Sequence, residues 1–586
     1  MYCSHQRTHG FIRPGLAPFA PCIAPCPLET ARVCVIIRAI TNGAATSIGR
    51  GGLHTGGNMI ETALGLNGAF TAPHRIATKV GADVLEAGGS AIEAMVAAAA
   101  AIAVVYPHMN SIGGDGFWLI RHKGQAPVAI SACGQAAGLA TPAWYAAQGH
   151  ASAIPARGAL AALTVPGTVG GWGAALAQRP GGTGMALADL LAPAIHLAKT
   201  GIAVTRNQSD TTAEKIDGLR DVPGFAPIYL ANGQAPAPGS KLLQTALGQT
   251  LGAIAENGIE GYYRGDIAAT HATYLQEMGS PLRLGDFHAY QAQVQKPLEI
   301  ATSLGTLYNM GPPTQGMSSL AILGVFDRLN IDTPEGFAHI HGLIEATKQA
   351  FILRNAELGD PANMRKPAQD WLDDATLDQM AANVDMARAL PWPHQAKAGD
   401  TIWMGAADKD GTVVSFIQSV FWEFGSGLTC PDTGVVFQNR GAGFSMAPGP
   451  NQLAPGRRPF HTLNPAMAVL NDGRVLSYGT MGGEGQPQTQ AAVFSRYAQF
   501  GTPLQQAITA PRWLLGKTWG DDTTSLKIEE NADAALISAL RAAGHQVELT
   551  PAFSSLMGHA GAVLAHPDGH FEAATDPRSD GMAYAL

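Results

Sequence analysis

The chain has 586 residues, of which 46% are hydrophobic and 14% charged, and its formal net charge is −8. This composition is typical of a globular protein with a large buried interior, and it excludes collagen-like and mostly disordered chains. The acidic balance leaves no basic surplus to neutralise phosphates, so we expect no nucleic-acid partner and no anionic membrane partner.

The leading segment does not resemble folded protein. It is rich in Pro, Gly and Arg, and it contains four of the six cysteines. Cys22 and Cys26 have zinc-like spacing, but no suitable second pair lies nearby, so we expect no metal site there. We interpret residues 1–65 as a disordered or mis-assigned leader. The scarcity of cysteines in the rest of the chain and the lack of a clear signal peptide favour a cytoplasmic location.

Helical patterns dominate up to about residue 390. An amphipathic helix is predicted over 73–88 and a wholly apolar, buried helix over 91–105. The loop PHMNSIGGDG (107–116) and the strand FWLIRH follow. Its Gly-Gly-Asp-Gly stretch is either a tight turn or a place where backbone amides face a ligand. Further helical spacing occurs in LADLLAPAIHLAKTG, KLLQTALGQTLGAIAENG and HIHGLIEATKQAFILRNAEL.

Strand patterns begin close to Asp400, after a polar, linker-like stretch over 360–400. Asp-Gly pairs at 410–411 and 472–473 indicate hairpin turns. A helix is predicted over 488–500, followed by a C-terminal helix–strand–strand unit. The predicted strands are IWMGAA, VVSFIQSVF, GVVFQN, AMAVLN and VLSYGTM. Helices, then antiparallel strands, then helices predict an α+β protein with sheets between helical layers.

Ordered motifs from about residue 72 to the C-terminus resemble the γ-glutamyltransferase family, whose members are N-terminal nucleophile hydrolases. The resemblance implies a four-layer αββα sandwich and chemistry without a metal or organic cofactor. Besides the block over 72–120, the motifs are LTVPGTVGGW, PPTQGMSS, EATKQAFILRNAELGDP, PGRRPFHTLNPA, GTMGGEG, SSLMGHAGAV and DPRSDG.

The stretch GDTIWMGAADKDG (399–411) places a threonine behind an acid at the start of a predicted strand. The resemblance implies self-cleavage between Asp400 and Thr401, which gives a large chain over 66–400 and a small chain over 401–586. Thr401 then becomes an N-terminus, whose α-amine has an ordinary pKa of about 7.7–8.0 and accepts the proton of the threonine hydroxyl. In the precursor this nitrogen is an amide and is no base. The alternative is an ordinary buried threonine.

The resemblance assigns three further catalytic residues. Gly482 and Gly483 match the family's oxyanion-hole pair, where the absence of a Cβ lets backbone N–H groups approach the tetrahedral oxyanion. Their alternative role is a strand-to-helix turn alone. Ser419 falls where the family has a threonine that hydrogen-bonds the nucleophile, and its alternative role is strand packing.

The family's anchors for a γ-glutamyl group are missing. The stretch over 131–142 lacks the Arg-Glu motif that holds the α-carboxylate, and Gly443 replaces the acid that holds the α-amino group. His461 and Thr462 replace a serine pair, and Phe421 replaces an asparagine of the substrate wall. A buried zwitterion without its counter-charges is costly. We therefore expect weak hydrolysis of glutathione.

A new charge, Arg440, lies in the segment that lost the acid. A guanidinium clamps a carboxylate through two parallel hydrogen bonds, so a substrate with a carboxylate and no α-amino group fits the exchange. PHMNSIGGDGFW, QNRGAGF and FIQSVFWEFGSG are similar to a branch of the family that hydrolyses oxamate to oxalate and ammonia in purine breakdown. We predict this reaction through an acyl-Thr401 intermediate. The predicted substrate-binding residues are Arg440, His461, Thr462, Asn439 and Phe421.

Several alternatives remain open. Arg440 forms a structural ion pair in one of them. The protein is a glutathione hydrolase or γ-glutamyl transpeptidase in a second, and a cephalosporin-acylase-like amidase in a third. An uncleaved binding homologue is disfavoured because Thr401, Ser419 and the Gly-Gly pair are present. The expected partners are a small-molecule amide and the two chains of one precursor, and a dimer of that cleaved heterodimer is a further expectation.

Overall fold

The fold begins earlier in the chain than the sequence predicts. Strand Ala63–Gly65 pairs with strand Phe571–Thr575, so the last residues of the predicted leader belong to a sheet. The rest of that leader, including its cysteine pair, lies outside the described residues. The computed structural model describes residues 60–182, 184–392, 400–516 and 524–586, with only the backbone of residue 400.

The strands of the described residues are numbered in chain order. They are β1 Ala63–Gly65, β2 Gly68–Ala72, β3 Asp115–Arg121, β4 Val128–Ala132, β5 Ile202–Ala203, β6 Lys241–Leu242, β7 Gln293–Gln295, β8 Leu298–Thr302, β9 Gly305–Asn309, β10 Asp400–Asp408, β11 Val413–Phe421, β12 Ala466–Leu470, β13 Val475–Thr480, β14 Trp513–Leu515, β15 Leu526–Glu529, β16 Val547–Thr550, β17 Ala560–Ala565, β18 Phe571–Thr575 and β19 Met582–Ala585.

The α-helices are numbered in the same way. They are α1 Arg75–Glu86, α2 Ala91–Val105, α3 Pro142–Ala147, α4 Thr168–Leu176, α5 Leu187–Thr200, α6 Arg206–Lys215, α7 Ala226–Tyr229, α8 Thr245–Arg264, α9 Asp266–Glu277, α10 Leu284–Ala289, α11 Gly316–Arg328, α12 Phe337–Glu357, α13 Asp374–Ala382, α14 Gln486–Phe494, α15 Leu504–Thr509 and α16 Ala534–Ala542.

Two seven-stranded antiparallel sheets form the centre of the molecule. The first has the order β1-β18-β17-β13-β12-β9-β8, and the second has the order β19-β2-β10-β11-β3-β4-β7. Side chains from both sheets, among them Trp403, Met467 and Val563, form the core between them. Helices α1, α2 and α4 cover the outer face of the second sheet, and α11, α14 and α15 that of the first. This arrangement confirms the predicted four-layer αββα sandwich.

Local sequence explains why these elements form. Helix α2 is fully buried along its length, and Ser90 and Glu93 close its N-terminus with a capping box. Strand β11 is buried at every position because it lies between β10 and β3. Such a strand has a continuous apolar run rather than an alternating one.

Three sequence predictions of secondary structure are wrong. Residues 434–439 make only isolated bridges, because the backbone of Gly113 packs directly against Val436. The stretch over 293–309, expected to be helical, forms β7, β8 and β9. The linker-like stretch over 360–392 contains α13, whose Leu377 and Met380 are buried in the core. Residues 393–399 lie outside the described part of the chain.

Candidate active site

Thr401 lies at the start of the central strand β10 and is fully buried. The register of β10 against β11 shifts at this residue, since Asp400 pairs with Phe421 but Ile402 pairs with Gln418. Such a bulge re-aims a side chain at the end of a ladder. The Thr401 hydroxyl lies 3.4 Å from Nε2 of Gln486, the first residue of α14. The strand and the helix thus fix the hydroxyl from two sides.

The turn between β13 and α14 contains the two glycines of the predicted oxyanion hole. Gly482 has φ +117° and Gly483 has φ +55°, in the left-handed region that favours glycine. Gly483 begins a 3-10 turn, and the first N–H groups of such a turn have no acceptor within it. Gln315 holds the turn in place, since its Nε2 donates to the carbonyls of Gly483 (2.9 Å) and Thr462 (2.7 Å).

Ser419 extends the site along the neighbouring strands. It is the register partner of Asp115 on β3, and its Oγ accepts the backbone N–H of Phe421 at 2.8 Å. Residues two positions away on the same strands, Ile417 and Phe117, belong to the core between the sheets. Because side chains alternate along a strand, Ser419 and Asp115 also lie on this inner face.

Arg440 is buried with 1% of its surface exposed, at the start of a 3-10 turn. Its guanidinium carbon lies 3.9 Å from the centroid of the Phe421 ring, and its Nη1 lies 3.5 Å from Thr462 Oγ1. Its Nη2 has no hydrogen-bond partner, and Arg440 forms no ion pair with a carboxylate among the described residues. Burial lowers the pKa of Arg440 to about 9, and the nearby Asp115 opposes that shift. The alternative in which Arg440 forms a structural ion pair is therefore not found in the described part of the chain.

The backbone of Phe421 supports this arrangement. Its φ is +84°, which is an outlier for an aromatic residue and is found where surrounding structure enforces it. The conformation brings the ring under the guanidinium of Arg440. Phe421 thus supports the cation, and its place in the substrate wall stays a prediction.

Asp115 and His461 form a second buried pair beside Arg440. Asp115 Oδ1 accepts from the backbone N–H of Gly134 (3.1 Å) and from Gln438 Nε2 (3.0 Å). Its Oδ2 lies 3.4 Å from His461 Nε2, yet neither atom has a hydrogen-bond partner. Burial raises the pKa of Asp115 to about 7 and lowers that of His461 well below its ordinary value. His461 is therefore a neutral group in this site and not a second cation.

The Gly-Gly-Asp-Gly loop is a tight turn rather than a ligand cradle. The N–H of Gly113 bonds Ser111 Oγ at 3.0 Å, and that of Gly114 bonds the Ser111 carbonyl at 3.1 Å. An added Cβ would lie 2.1 Å from the Val436 carbonyl at Gly113 and 2.1 Å from the Ser419 carbonyl at Gly114. The glycines let backbones pack closely, and their amides are already used.

Asn439 is hydrogen-bonded to the protein through both ends of its side-chain amide, and its predicted substrate contact stays a prediction. Its Oδ1 accepts the backbone N–H of Trp422 at 3.1 Å, and its Nδ2 donates to the Ala156 carbonyl at 2.8 Å. Both ends of the amide are engaged, so the side chain holds the turn after β11 in place.

The chain is similar to known proteins over most of its length. A sequence profile of the gamma-glutamyltranspeptidase family matches residues 77–586. The chain belongs to this family. It is 51% identical over 528 residues to the oxamate amidohydrolase proenzyme of Klebsiella pneumoniae subsp. pneumoniae, covering 90% of this chain and 99% of that protein. It is 37% identical to the glutathione hydrolase-like YwrD proenzyme of Bacillus subtilis, covering 90% of this chain and 100% of that protein.

A solved structure supports the same assignment. The cephalosporin acylase from Bacillus halodurans superposes with a TM-score of 0.84 at 28% identity, covering 92% of this chain and 99% of that one. The family, the enzyme class and the fold predicted from the sequence are thereby confirmed, and both of these relatives are named as proenzymes.

Two residues that contact the predicted site are not identified by the sequence motifs. Asp115 belongs to a glycine loop, although a carboxylate at the first position of a buried apolar strand signals a buried polar group that needs a role. The contact of Gln486 with Thr401 spans 85 residues of sequence and follows from the sheet packing alone.

A cavity of about 320 Å³ lies beside the turn that contains Gly483. Its lining includes Glu484 of that turn and Phe460, whereas Thr401, Asp115 and Arg440 are not among its lining residues. The other lining residues are Arg354, Asn355, Leu358, Ser445, Pro448, Gly449, Pro450 and Asn451.

Two groups of potential metal ligands among the described residues lie outside this site. His341, Glu345 and His545 are buried, but His341 Nδ1 and His545 Nε2 bond each other at 2.8 Å and Lys348 bonds Glu345 at 2.7 Å. The second group, His566, Asp568 and His570, is partly exposed.

Among the described residues, no helix combines the length and hydrophobicity that crossing a bilayer requires.

Proposed function

We propose that the chain cleaves itself between Asp400 and Thr401 and then hydrolyses oxamate, the amide of a small carboxylate. The name of the 51% identical relative supports this substrate. A cytoplasmic location, a role in purine breakdown and a dimer of the cleaved heterodimer stay predictions.

The observation that carries the proposal is the unpartnered Nη2 of the buried Arg440. A buried guanidinium without an anion is costly, and a bound carboxylate supplies the missing charge and hydrogen bonds. Phe421 and Thr462 hold the guanidinium in position for it. The loss of the acid at Gly443 disfavours a substrate with an α-amino group.

The reaction follows from the positions of the site residues. Cleavage converts the Thr401 nitrogen into an amine, which takes the hydroxyl proton as Oγ attacks the amide carbon. The N–H groups of Gly482 and Gly483 stabilise the oxyanion. The carbon–nitrogen bond then breaks, and ammonia leaves with that proton. Water hydrolyses the oxalyl ester on Thr401, which releases oxalate and restores the hydroxyl.

Self-cleavage is tested with purified protein on a denaturing gel. Wild type should give two bands, and Thr401→Ala should give one, because the variant lacks the hydroxyl. An N-terminal sequence that starts at Thr401 in the smaller band locates the cut. A wild-type chain that stays whole after long incubation contradicts the proposal.

The substrate is tested by ammonia release from oxamate and nitroaniline release from a γ-glutamyl anilide. We expect oxamate to be preferred by a factor on the order of 100 or more in kcat/KM, since the anilide's α-amino group finds no acid at position 443. A preference for the anilide favours the second candidate, a glutathione hydrolase, which the Bacillus subtilis relative's name suggests.

The carboxylate clamp is tested with Arg440→Lys. Loss of the two-pronged contact should raise the KM for oxamate by a factor on the order of 10 to 100 while the protein still cleaves itself. Arg457→Ala is the matched control, because that side chain donates to the Gln452 carbonyl at 3.0 Å and has no place in the site. An unchanged KM in Arg440→Lys removes the clamp from the proposal.

A further inference from the structure

Asp115 is a buried carboxylate that the reaction described above does not use. It lies on the inner face of β3, beside Ser419 on β11, and Thr401 begins the next strand, β10. The Thr401 hydroxyl lies 3.4 Å from Gln486, whose Oε1 accepts the backbone N–H of Asn464 just before β12, so Thr401 points towards the facing sheet as well. Three adjacent strands therefore place Thr401, Ser419 and Asp115 in one row at the same end of the sheet.

One oxygen of Asp115 is fixed and the other is available. The bonds from Gly134 and Gln438 both reach Oδ1 and hold the carboxylate in one orientation. Oδ2 has no hydrogen-bond partner, and the nearest ring atom, His461 Nε2, is 3.4 Å away. A buried acceptor without a donor is costly, so this oxygen is suited to a ligand that brings an N–H group.

Above a pH of about 7, where Asp115 is ionised, Arg440 and Asp115 are opposite charges that do not pair with each other. Each charge shifts the pKa of the other group, but no ion pair between the two is found in the described residues. Arg440 contacts Thr462, and Asp115 lies beside His461. Because His461 and Thr462 are consecutive in the chain, we infer that both charges border the same space. One unpaired cation and one unpaired anion suit a small ligand that carries both a carboxylate and an N–H donor.

We propose that Asp115 determines specificity for an amide that retains its N–H groups. In oxamate the carboxylate binds Arg440, and an amide N–H donates to Asp115 Oδ2. The inference rests on the proposed function and adds a recognition group for the leaving nitrogen. It predicts that the site distinguishes an unsubstituted amide from an ester of the same acid, which offers no N–H group.

The experiment compares oxamate with monoethyl oxalate in the self-cleaved enzyme and in Asp115→Asn. Asparagine keeps Oδ1 as an acceptor for Gly134 and Gln438 and replaces Oδ2 with an NH₂ group, so the fold is preserved. We expect kcat/KM for oxamate to fall by a factor on the order of 100, because donor then meets donor. The ester, which has no N–H, should change by less than about 3-fold.

Asp408→Asn is the matched control. Asp408 is a buried carboxylate at the opposite end of β10, where it accepts from Ala91 and Thr412, and its loss should leave the amide-to-ester ratio unchanged. Equal losses on both substrates in Asp115→Asn overturn the inference, as does unchanged activity on both. A wild-type enzyme that hydrolyses neither oxamate nor the ester overturns the proposed function itself.

Wild-type protein provides a second measurement that does not depend on a variant. N,N-Dimethyloxamate has no N–H donor, so it should be hydrolysed at least about 100-fold more slowly than oxamate, while N-methyloxamate, with one N–H, should lie between them. If dimethyloxamate is hydrolysed as fast as oxamate, Asp115 does not recognise the amide N–H groups.

Discussion

At Asp115 burial works against the ionised form of the carboxyl. The charge of Arg440 and the hydrogen bonds from Gln438 and Gly134 offset this only in part, so the pKa rises from its ordinary 3.8 to about 7. Between these two values the folded protein binds a proton that the unfolded chain does not. Stability therefore falls as the pH rises from about 4 to 7 and then levels off.

Asp115→Asn should remove this dependence. Since asparagine does not titrate, the Tm of the variant should exceed that of the parent by an amount that grows from pH 4 to 7, on the order of a few °C. Scanning calorimetry in a Thr401→Ala background keeps the chain uncut for the comparison. His461, Arg440 and Cys133 face the same carboxyl, so a second variant, Cys133→Ser, checks that the pH dependence belongs to Asp115. A Tm difference that shrinks towards pH 7 contradicts the assignment.

A substitution in the turn after β13 can distinguish a backbone effect on stability from an effect on catalysis. Gly482 (φ +117°) and Gly88 (φ +85°) both have positive φ, and neither meets an atom closer than 3.4 Å if a Cβ is added. Alanine should cost each about 1 kcal/mol or more in stability from backbone strain. Only Gly482→Ala should also lower kcat, by a factor on the order of 100, because the strained backbone would turn away the N–H that we propose binds the oxyanion. Parallel melting and oxamate assays decide this, and equal activities contradict the oxyanion role.

The glycine turn before β3 has the opposite requirement, because space is missing there. In Gly114→Ala the new Cβ would lie 2.1 Å from the Ser419 carbonyl, so the variant should not fold or cleave itself. In Gly252→Ala, within α8, nothing lies within 4 Å, and the helix should gain about 0.5–1 kcal/mol. Soluble yield and Tm measure both outcomes. A well-folded Gly114→Ala variant contradicts the tight packing.

Elements with a strong period are predictable from the sequence, whereas contacts between distant segments are not. The apolar run of α2 gives its bounds, Ala91–Val105, directly. The motifs around Thr401 and the Gly-Gly turn indicate the site by resemblance. By contrast, residues 434–439 have the composition of a strand but make only isolated bridges. The hydrogen bonds of Asn439 and Gln486 reach residues far along the chain, so the sequence does not predict them. The raised pKa of Asp115 depends on burial that only the packed sheets create.

At the scale of the whole molecule, both sheets contain strands from both predicted chains. From the large chain, β2 pairs with β10 and β19, β3 with β11, and β9 with β12. The two chains should therefore stay together after the cut. We expect the cleaved protein to elute from gel filtration as one species at nanomolar concentration and to separate only in denaturant. Two peaks without denaturant contradict this.

The interleaving of the sheets also bears on how the protein is inherited and made. Neither chain completes either seven-stranded sheet by itself, so two separately encoded halves would yield enzyme only if they met while still unfolded. One reading frame removes that dependence and fixes a one-to-one ratio of the halves. It also means that the cut enzyme does not exchange subunits with another copy, so a defective small chain, once made, stays with its own large chain until the molecule is degraded.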